Sequence, residues 1–270
     1  MKTIEQLKTD RSPFSIGQAF SDGWNLVSKN LGYYIWGGVV ALIIGGAAGI
    51  VPYVGDIAAS LILSPCLIAG AVYVTWRISK GEGWTDFGDM FKGFKFLQPI
   101  AIATLIQFAS YLLIGGLFLL SNINELIKLY ELSQGTNAFN NRKEMKAILI
   151  ELFNPTFILL FLLMMIAFLF IHITWAFKNH FIVIYKMQAW PAMDMSRRIA
   201  WRNLLPMVGF FLLMGIIIII SAIPCGIGLL FTLPLIIGAT YSAFAQITNC
   251  DEADEINEDM FDFMAEGKVE

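Results

Sequence analysis

The chain has 270 residues, of which 57% are hydrophobic and only 14% charged, and its formal net charge is −3. Soluble domains carry roughly a quarter charged residues, so this composition and a mean hydropathy of +0.67 argue against a soluble protein. Lys and Arg are also too few for a nucleic-acid-binding surface.

Six apolar stretches are each long enough to cross a bilayer, whose hydrocarbon core of about 30 Å takes roughly 20 helical residues. Strands of a membrane barrel would alternate over about ten residues, whereas Phe157 to Phe170 is continuously apolar. We therefore predict an all-α integral membrane bundle with spans at residues 31–51, 56–77, 97–120, 156–176, 204–223 and 226–247.

The first apolar run begins near Leu31 and is too long for the core of a secretory signal, so we expect no cleaved leader. We assign residues 1–30 to a cytoplasmic N-terminus with an interfacial helix. Residues 31–249 form the six-helix transmembrane domain, with an outer loop at about 121–154, and residues 250–270 form an acidic cytoplasmic tail.

The Lys and Arg residues indicate the orientation. Fourteen of the eighteen fall in the segments on one side of the predicted membrane. Because cytoplasmic loops are enriched in these residues, we expect both termini in the cytoplasm and the protein in a bacterial inner membrane.

Every second span follows a short amphipathic segment with aromatic residues, then a basic residue, one spacer and a leucine. This pattern predicts three hairpins, each preceded by an interfacial helix whose basic side chains reach lipid phosphates. The first and last hairpins share Pro and Gly spacings, for which duplication and similar composition both remain open explanations. The interfacial basic residues are Lys29, Lys95, Arg197, Arg198 and Arg202.

Small residues recur every fourth position along the first span. Lipid offers no hydrophobic drive between helices, so close backbone approach at small residues favours packing. We predict a helix-packing face within the chain, with contact to a second copy as the alternative. Its residues are Gly37, Ala41, Gly45 and Gly49.

Four polar residues are candidates for an intramembrane site, because polar groups in a membrane often mark function. His172 is placed in the fourth span, Gln107 and Ser110 in the third, and Asp56 at an outer boundary. Each has a structural alternative, which is a packed histidine, hydrogen bonds between helices or a solvated carboxylate.

Catalytic and metal-binding motifs are missing from the sequence. Two histidines in the whole chain cannot supply a histidine-held iron site, and no paired carboxylate, metalloprotease or phosphate-loop motif occurs. The three cysteines indicate no disulfide framework. We therefore expect no enzyme, metal or cofactor.

The cytoplasmic segment from Trp190 to Arg198, with Trp24 and the turn residues Gly226, Gly228 and Pro234, resembles bacterial six-span membrane proteins of unknown function. It is also similar to the membrane domain of some glycerophosphodiester phosphodiesterases, over about residues 15–249. The catalytic barrel of those enzymes has no counterpart here. The resemblance implies a compact helical membrane module without hydrolase activity.

Three functional hypotheses remain after these exclusions. The first is transport of a lipid-like or amphiphilic molecule, with membrane lipids as partners. The second is a scaffold or accessory subunit that binds a protein through the tail at 251–270, where nine acidic residues accompany one lysine. The third is a membrane enzyme that uses His172.

Overall fold

The computed structural model describes residues 2–9, 14–51, 53–82, 86–124, 126–127, 130, 154–223 and 228–252. Within these ranges the chain is helical and forms no β-strand. Most of the predicted outer loop and acidic tail lie outside them. The α-helices are α1 (Ile4–Thr9), α2 (Ile16–Ser28), α3 (Leu31–Ala48), α4 (Val54–Ala58), α5 (Ser64–Ser79), α6 (Leu97–Ser121), α7 (Pro155–Thr174), α8 (Lys178–Ile184), α9 (Ala189–Arg202), α10 (Leu204–Ala222) and α11 (Leu229–Thr248).

The described residues also form three helical segments that are not α-helices. A π-helical turn, Ala59–Leu63, joins α4 to α5 without a break. A 3₁₀ helix, Phe87–Phe96, leads into α6, and a second one, Cys250–Glu252, follows α11.

Six helical stretches are long and apolar enough to cross a membrane, which confirms the all-α class and the six predicted spans. The fourth stretch extends past its predicted end at 176, because α8 continues it after a short break. The six stretches are Leu31–Ala48, Val54–Ser79, Phe87–Ser121, Pro155–Ile184, Leu204–Ala222 and Leu229–Thr248.

A short amphipathic helix precedes each hairpin, as the sequence predicts. These helices are α2, the 3₁₀ helix Phe87–Phe96 and α9. In α2 the buried residues Ala19, Gly23 and Val27 recur every fourth position, which places them on one face. The first and last hairpins also begin with the same bend: Asn30 has φ −125° and ψ 26°, and Asn203 has φ −115° and ψ 29°.

Two of the short helices cross a span with their backbones in contact. A Cβ on Gly23 of α2 would lie 2.5 Å from the carbonyl carbon of Gly238 in α11. A Cβ on Gly93 of the 3₁₀ helix would lie 2.5 Å from the Gly70 nitrogen in α5, and one on Gly70 would overlap the Met90 carbonyl. Only glycine permits such an approach, so these residues determine where the helices cross.

The third short helix packs on the fourth span through a hydroxyl. Ser196 of α9 donates to the Thr174 carbonyl (2.9 Å) and accepts from the Phe177 N–H (3.1 Å). The 3₁₀ helix Phe87–Phe96 and α9 thus each pack on the second span of the hairpin before them, and α2 packs on the last span, α11.

The N-terminal residues form hydrogen bonds with the last span and with the segment between the fourth and fifth spans. The Lys2 N–H donates to the Thr248 carbonyl (3.0 Å), and the Tyr185 hydroxyl donates to the Lys2 carbonyl (3.2 Å). Arg202 donates to the carbonyls of Leu7 (3.0 Å) and Lys8 at the end of α1. Residues 2–9 are therefore part of the packed structure.

The chain divides into two compact units, Met1–Leu105 with Ile173–Glu270, and Ile106–His172. All the contacts described above lie within the first unit. In the second unit, α6 and α7 pack through aromatic rings, with centroids 5.3 Å apart for Phe118 and Phe157 and 5.2 Å apart for Tyr111 and Phe168.

The crossing of α2 and α11 predicts opposite effects of one substitution at two positions of α2. Gly23→Ala should lower the free energy of unfolding in detergent by about 2–3 kcal/mol, because the new methyl group meets backbone that cannot move aside. Gly17→Ala should be neutral or stabilising by about 0.5–1 kcal/mol, because open space surrounds that position. Thermal unfolding of both variants in detergent measures these changes in stability. Equal changes in the two variants would contradict the packing of α2 on α11 through Gly23.

Candidate functional site

An apolar groove lies between the first span, α3, and the 3₁₀ helix that precedes the third. It has a volume of about 440 Å³ and no charged side chain in its walls. Its aromatic residues are well exposed, so the groove is open to the surroundings of the helices. The lining residues are Trp36, Gly37, Val40, Phe87, Met90 and Phe91.

The first span has a glycine where the fifth has a phenylalanine. Gly37 and Phe210 occupy the same position, counted from the leucine that begins each span. The Phe210 ring is fully buried, with centroids 5.6 Å from Phe14 and 5.2 Å from Phe20, and fills its junction with the start of α2. Gly37 has no side chain, and the Met90 methyl group packs against it instead. The groove lies beside this contact, among the exposed rings of Trp36, Phe87 and Phe91.

The 3₁₀ helix cannot move inward to close this opening. Its backbone already contacts α5 at Gly70 and Gly93, as described above. The wall formed by Phe87, Met90 and Phe91 is therefore held at a set distance from α5 by backbone contacts. The interiors of proteins are closely packed, so an open apolar space with fixed walls is unusual. Ligand sites are commonly apolar spaces of this kind, and this one is suited to an apolar chain.

Asp89 and Lys92 of the same 3₁₀ helix belong to a largely buried charge network that includes side chains in and just after α5. The Asp89 carboxylate pairs with Lys92 (3.1 Å) and Arg77 (3.3 Å), and Arg77 also pairs with Glu82 (2.8 Å). The Lys92 ammonium lies 5.2 Å from the centre of the Tyr73 ring. Apolar and ionic residues thus alternate along two turns of helix, which gives this region an amphiphilic character.

His180 in α8 is the other unusual polar residue. It is 4% exposed, and neither ring nitrogen has a hydrogen-bond partner among the described residues. Its ring packs against those of Phe244 (5.0 Å), Phe177 (5.8 Å) and Tyr241 (6.4 Å). No group of three metal-ligating side chains occurs in the described part of the chain. The surroundings of His180 are those of a core aromatic residue.

The four predicted intramembrane polar residues lie in different surroundings. Gln107 donates to Tyr111 (2.9 Å) and Ser110 to the Ile106 carbonyl (3.0 Å), both within α6. His172 has an exposed side chain near the end of α7. Asp56 is also exposed, and its carbonyl accepts from the Ser60 hydroxyl (2.8 Å).

The predicted packing face on the first span is in close contact at one end. A Cβ on Gly37 would overlap the Met90 methyl group, whereas around Gly45 the described residues leave open space. A Cβ on Gly49 would be 3.6 Å from an Asp56 carboxylate oxygen, and Ala41 is half-buried. Among the described residues, Gly37 is the member of this set that packs closely against a side chain of another helix, that of Met90.

The interfacial basic residues divide by their partners. Asp194 pairs with Arg197 (2.6 Å) and Arg198 (2.7 Å), and the hydrogen bond from Arg198 is the main cause of its lowered pKa. Arg202 binds the end of α1, as described above. Lys29 follows the last residue of α2 and is exposed, and Lys95 is exposed at the end of the 3₁₀ helix.

A hydrogen-bonded cluster joins α5 and α11 to the start of the tail. The Ser79 and Tyr241 hydroxyls lie 2.7 Å apart, and both donate to Asp251, at 2.8 Å and 2.5 Å. Burial raises the pKa of the neighbouring Cys250 thiol to about 11. Cys66 and Cys250 are free and buried, in agreement with the prediction of unpaired thiols, and Cys225 lies outside the described residues.

Several site residues were missed by sequence reasoning, namely Trp36, Val40, Phe87, Met90, Phe91, Asp89 and His180. Two signals were available. Aligning the first and last hairpins at their leucines places Gly37 opposite Phe210, and the second and sixth spans share a Gly-Ala-x-Tyr pattern at Gly70 and Gly238. The glycine of each pattern lies at a helix crossing.

Fold and site together define a multi-pass helical membrane protein with an apolar groove between its first span and the 3₁₀ helix Phe87–Phe96. No family model, curated protein or solved structure matches the chain.

The packing of His180 predicts that its nitrogens contribute little to stability. His180→Phe should leave the free energy of unfolding within about 1 kcal/mol of the original or raise it, because it removes two unpaired buried polar atoms. Tyr241→Phe should cost about 1–3 kcal/mol, because its hydroxyl is bonded to Ser79 and Asp251. Thermal unfolding in detergent compares them, and a larger loss from His180→Phe would indicate a partner for the imidazole.

Proposed function

We propose that this protein is a non-enzymatic component of a bacterial inner membrane that binds a lipid-like amphiphile in the groove and transports it. The observation that carries this proposal is the open apolar groove between α3 and the 3₁₀ helix, whereas Phe210 fills the equivalent junction of the fifth span with α2. The proposed resemblance to the membrane domain of some glycerophosphodiester phosphodiesterases supports it.

The walls of the groove favour an alkyl chain over a polar substrate. Trp36, Phe87 and Phe91 offer flat apolar faces, and the groove lining contributes no charge that would stabilise an ion. In a bilayer the chain gains no hydrophobic free energy on entering, since the surrounding lipid is equally apolar. Binding must therefore come from dispersion contacts along the aromatic faces, which require a matched width.

The charged network supplies a place for a polar headgroup. Asp89 and Lys92 are on the same helix as Met90 and Phe91, and Lys95 is exposed one turn later. Residues 87–95 of a 3₁₀ helix span about 16 Å at a rise of about 2 Å per residue. An amphiphile along this helix would have its chain against the aromatic rings and its headgroup within reach of the lysines.

A single larger side chain in the groove should reduce binding. Val40→Phe places a ring in the groove and should lower occupancy by about fivefold, corresponding to roughly 1 kcal/mol of lost packing. Val39→Phe is the matched control, because the neighbouring residue is absent from the groove lining. The measurement is photocrosslinking of a diazirine-tagged phospholipid at one lipid per protein in detergent, with crosslinked peptides mapped by mass spectrometry.

The same pair of variants tests transport. Proteoliposomes with a fluorescent phospholipid should show protein-dependent flux that Val40→Phe reduces and Val39→Phe retains. Crosslinks spread evenly over the spans, with no flux, would contradict the proposal. Crosslinking to a second copy of the chain at the groove would instead identify the groove as a subunit interface.

The proposed orientation has both termini in the cytoplasm, as the distribution of Lys and Arg predicts. A membrane-impermeant maleimide should label Gln134→Cys in intact spheroplasts and Gly267→Cys only in inverted vesicles. Cys225→Ser is the background for both, since Cys66 and Cys250 are buried. Labelling of both sites from one side, or in the reverse order, would overturn the orientation.

A scaffold role remains the second candidate, because the start of the acidic tail is anchored. Asp251 accepts from Ser79 and Tyr241, so the tail leaves the structure at the end of α5 and α11. Loss of function after removal of residues 253–270, with groove variants fully active, would favour this candidate over transport.

A further inference from the structure

The innermost wall of the groove is a single flexible side chain. The Met90 side chain points at Gly37: a Cβ there would overlap its methyl carbon and lie 3.5 Å from its sulfur. Met90 is 7% exposed, and Gly37 is buried. The thioether therefore occupies the space that an ordinary side chain at position 37 would fill.

The backbone that carries Met90 is held in place. A Cβ on Gly70 would overlap the Met90 carbonyl, and one on Gly93 would meet the backbone of Cys66 and Gly70. The 3₁₀ helix therefore cannot shift relative to α5 without losing these contacts. At the Met90 position, a change in the shape of the groove has to come from rotation of the methionine side chain.

The equivalent position in the last hairpin behaves differently. Phe210 is held by contacts with Phe14 and Phe20, and a phenylalanine has only two side-chain torsions. Methionine has three rotatable bonds and a polarizable sulfur, which lets it fill spaces of variable shape. Met90 and Gly37 are the buried members of the groove lining and form its floor, so an adjustable Met90 side chain limits how deeply a chain enters the groove.

We propose that Met90 sets the depth of the groove and thereby selects the length of the alkyl chain that binds there. This inference rests on the proposed function, because it takes the groove occupant to be the chain of an amphiphile. Met90→Ala removes three heavy atoms beyond the Cβ, which leaves room for about three more carbons of the chain. Gly37→Ala acts in the opposite direction, because its methyl group displaces the Met90 methyl into the groove.

The test is competitive photocrosslinking of tagged phospholipids with 14-, 16- and 18-carbon chains to the full-length protein in detergent. Met90→Ala should raise the ratio of 18- to 14-carbon occupancy by roughly threefold, because the longer chain fills the void. Gly37→Ala should lower the same ratio. Met90→Leu is the matched control, because it nearly conserves volume and should leave the ratio unchanged.

The outcomes separate the two proposals. If neither the original protein nor any variant crosslinks at residues 36–40 or 87–91, the proposed function fails. If the groove crosslinks but the length ratio is the same in Met90→Ala and Gly37→Ala, the selection by Met90 is overturned while lipid binding stands. Thermal unfolding of each variant identifies loss of fold, and Gly37→Ala provides the answer if Met90→Ala does not fold.

Discussion

The structure depends on close backbone contact between short amphipathic helices and the spans they cross. In lipid, burying apolar side chains against one another yields no hydrophobic gain, so helices associate through dispersion contacts that increase as backbones approach. The glycine pairs at 23 and 238, and at 70 and 93, bring the backbones within contact distance. At the third crossing, the Ser196 hydroxyl forms hydrogen bonds with the Thr174 carbonyl and the Phe177 N–H, where α7 ends.

These crossings also fix one wall of the groove. Phe210 of the fifth span fills its junction with the start of α2, whereas beside Gly37 of the first span a groove stays open, with the Met90 methyl group packed on the glycine itself. Because the 3₁₀ helix is held on α5, the opening persists as a groove with defined walls.

Charged groups are arranged so that few of them face apolar surroundings alone. Asp89 lies between Arg77 and Lys92, and Asp194 between Arg197 and Arg198. Pairing offsets the cost of removing these groups from water, which an isolated charge near a membrane would bear in full. The network at Asp89 also places charges next to an apolar groove wall, the combination that an amphiphile requires.

The sequence by itself determined the class, the six spans and the short helix before each hairpin, because these follow from local hydropathy, periodicity and charge. It also drew attention to Gly37, although as one of four equivalent residues. Only the tertiary structure decided which glycines make contact, that α2 packs on α11 rather than standing apart, and that His180 rather than His172 is the deeply buried histidine. The physical reason is that an apolar helix in lipid has no single buried face that its own residues prescribe. Which side meets a neighbour depends on residues far away in the chain, such as Met90 for Gly37 and Phe14 for Phe210.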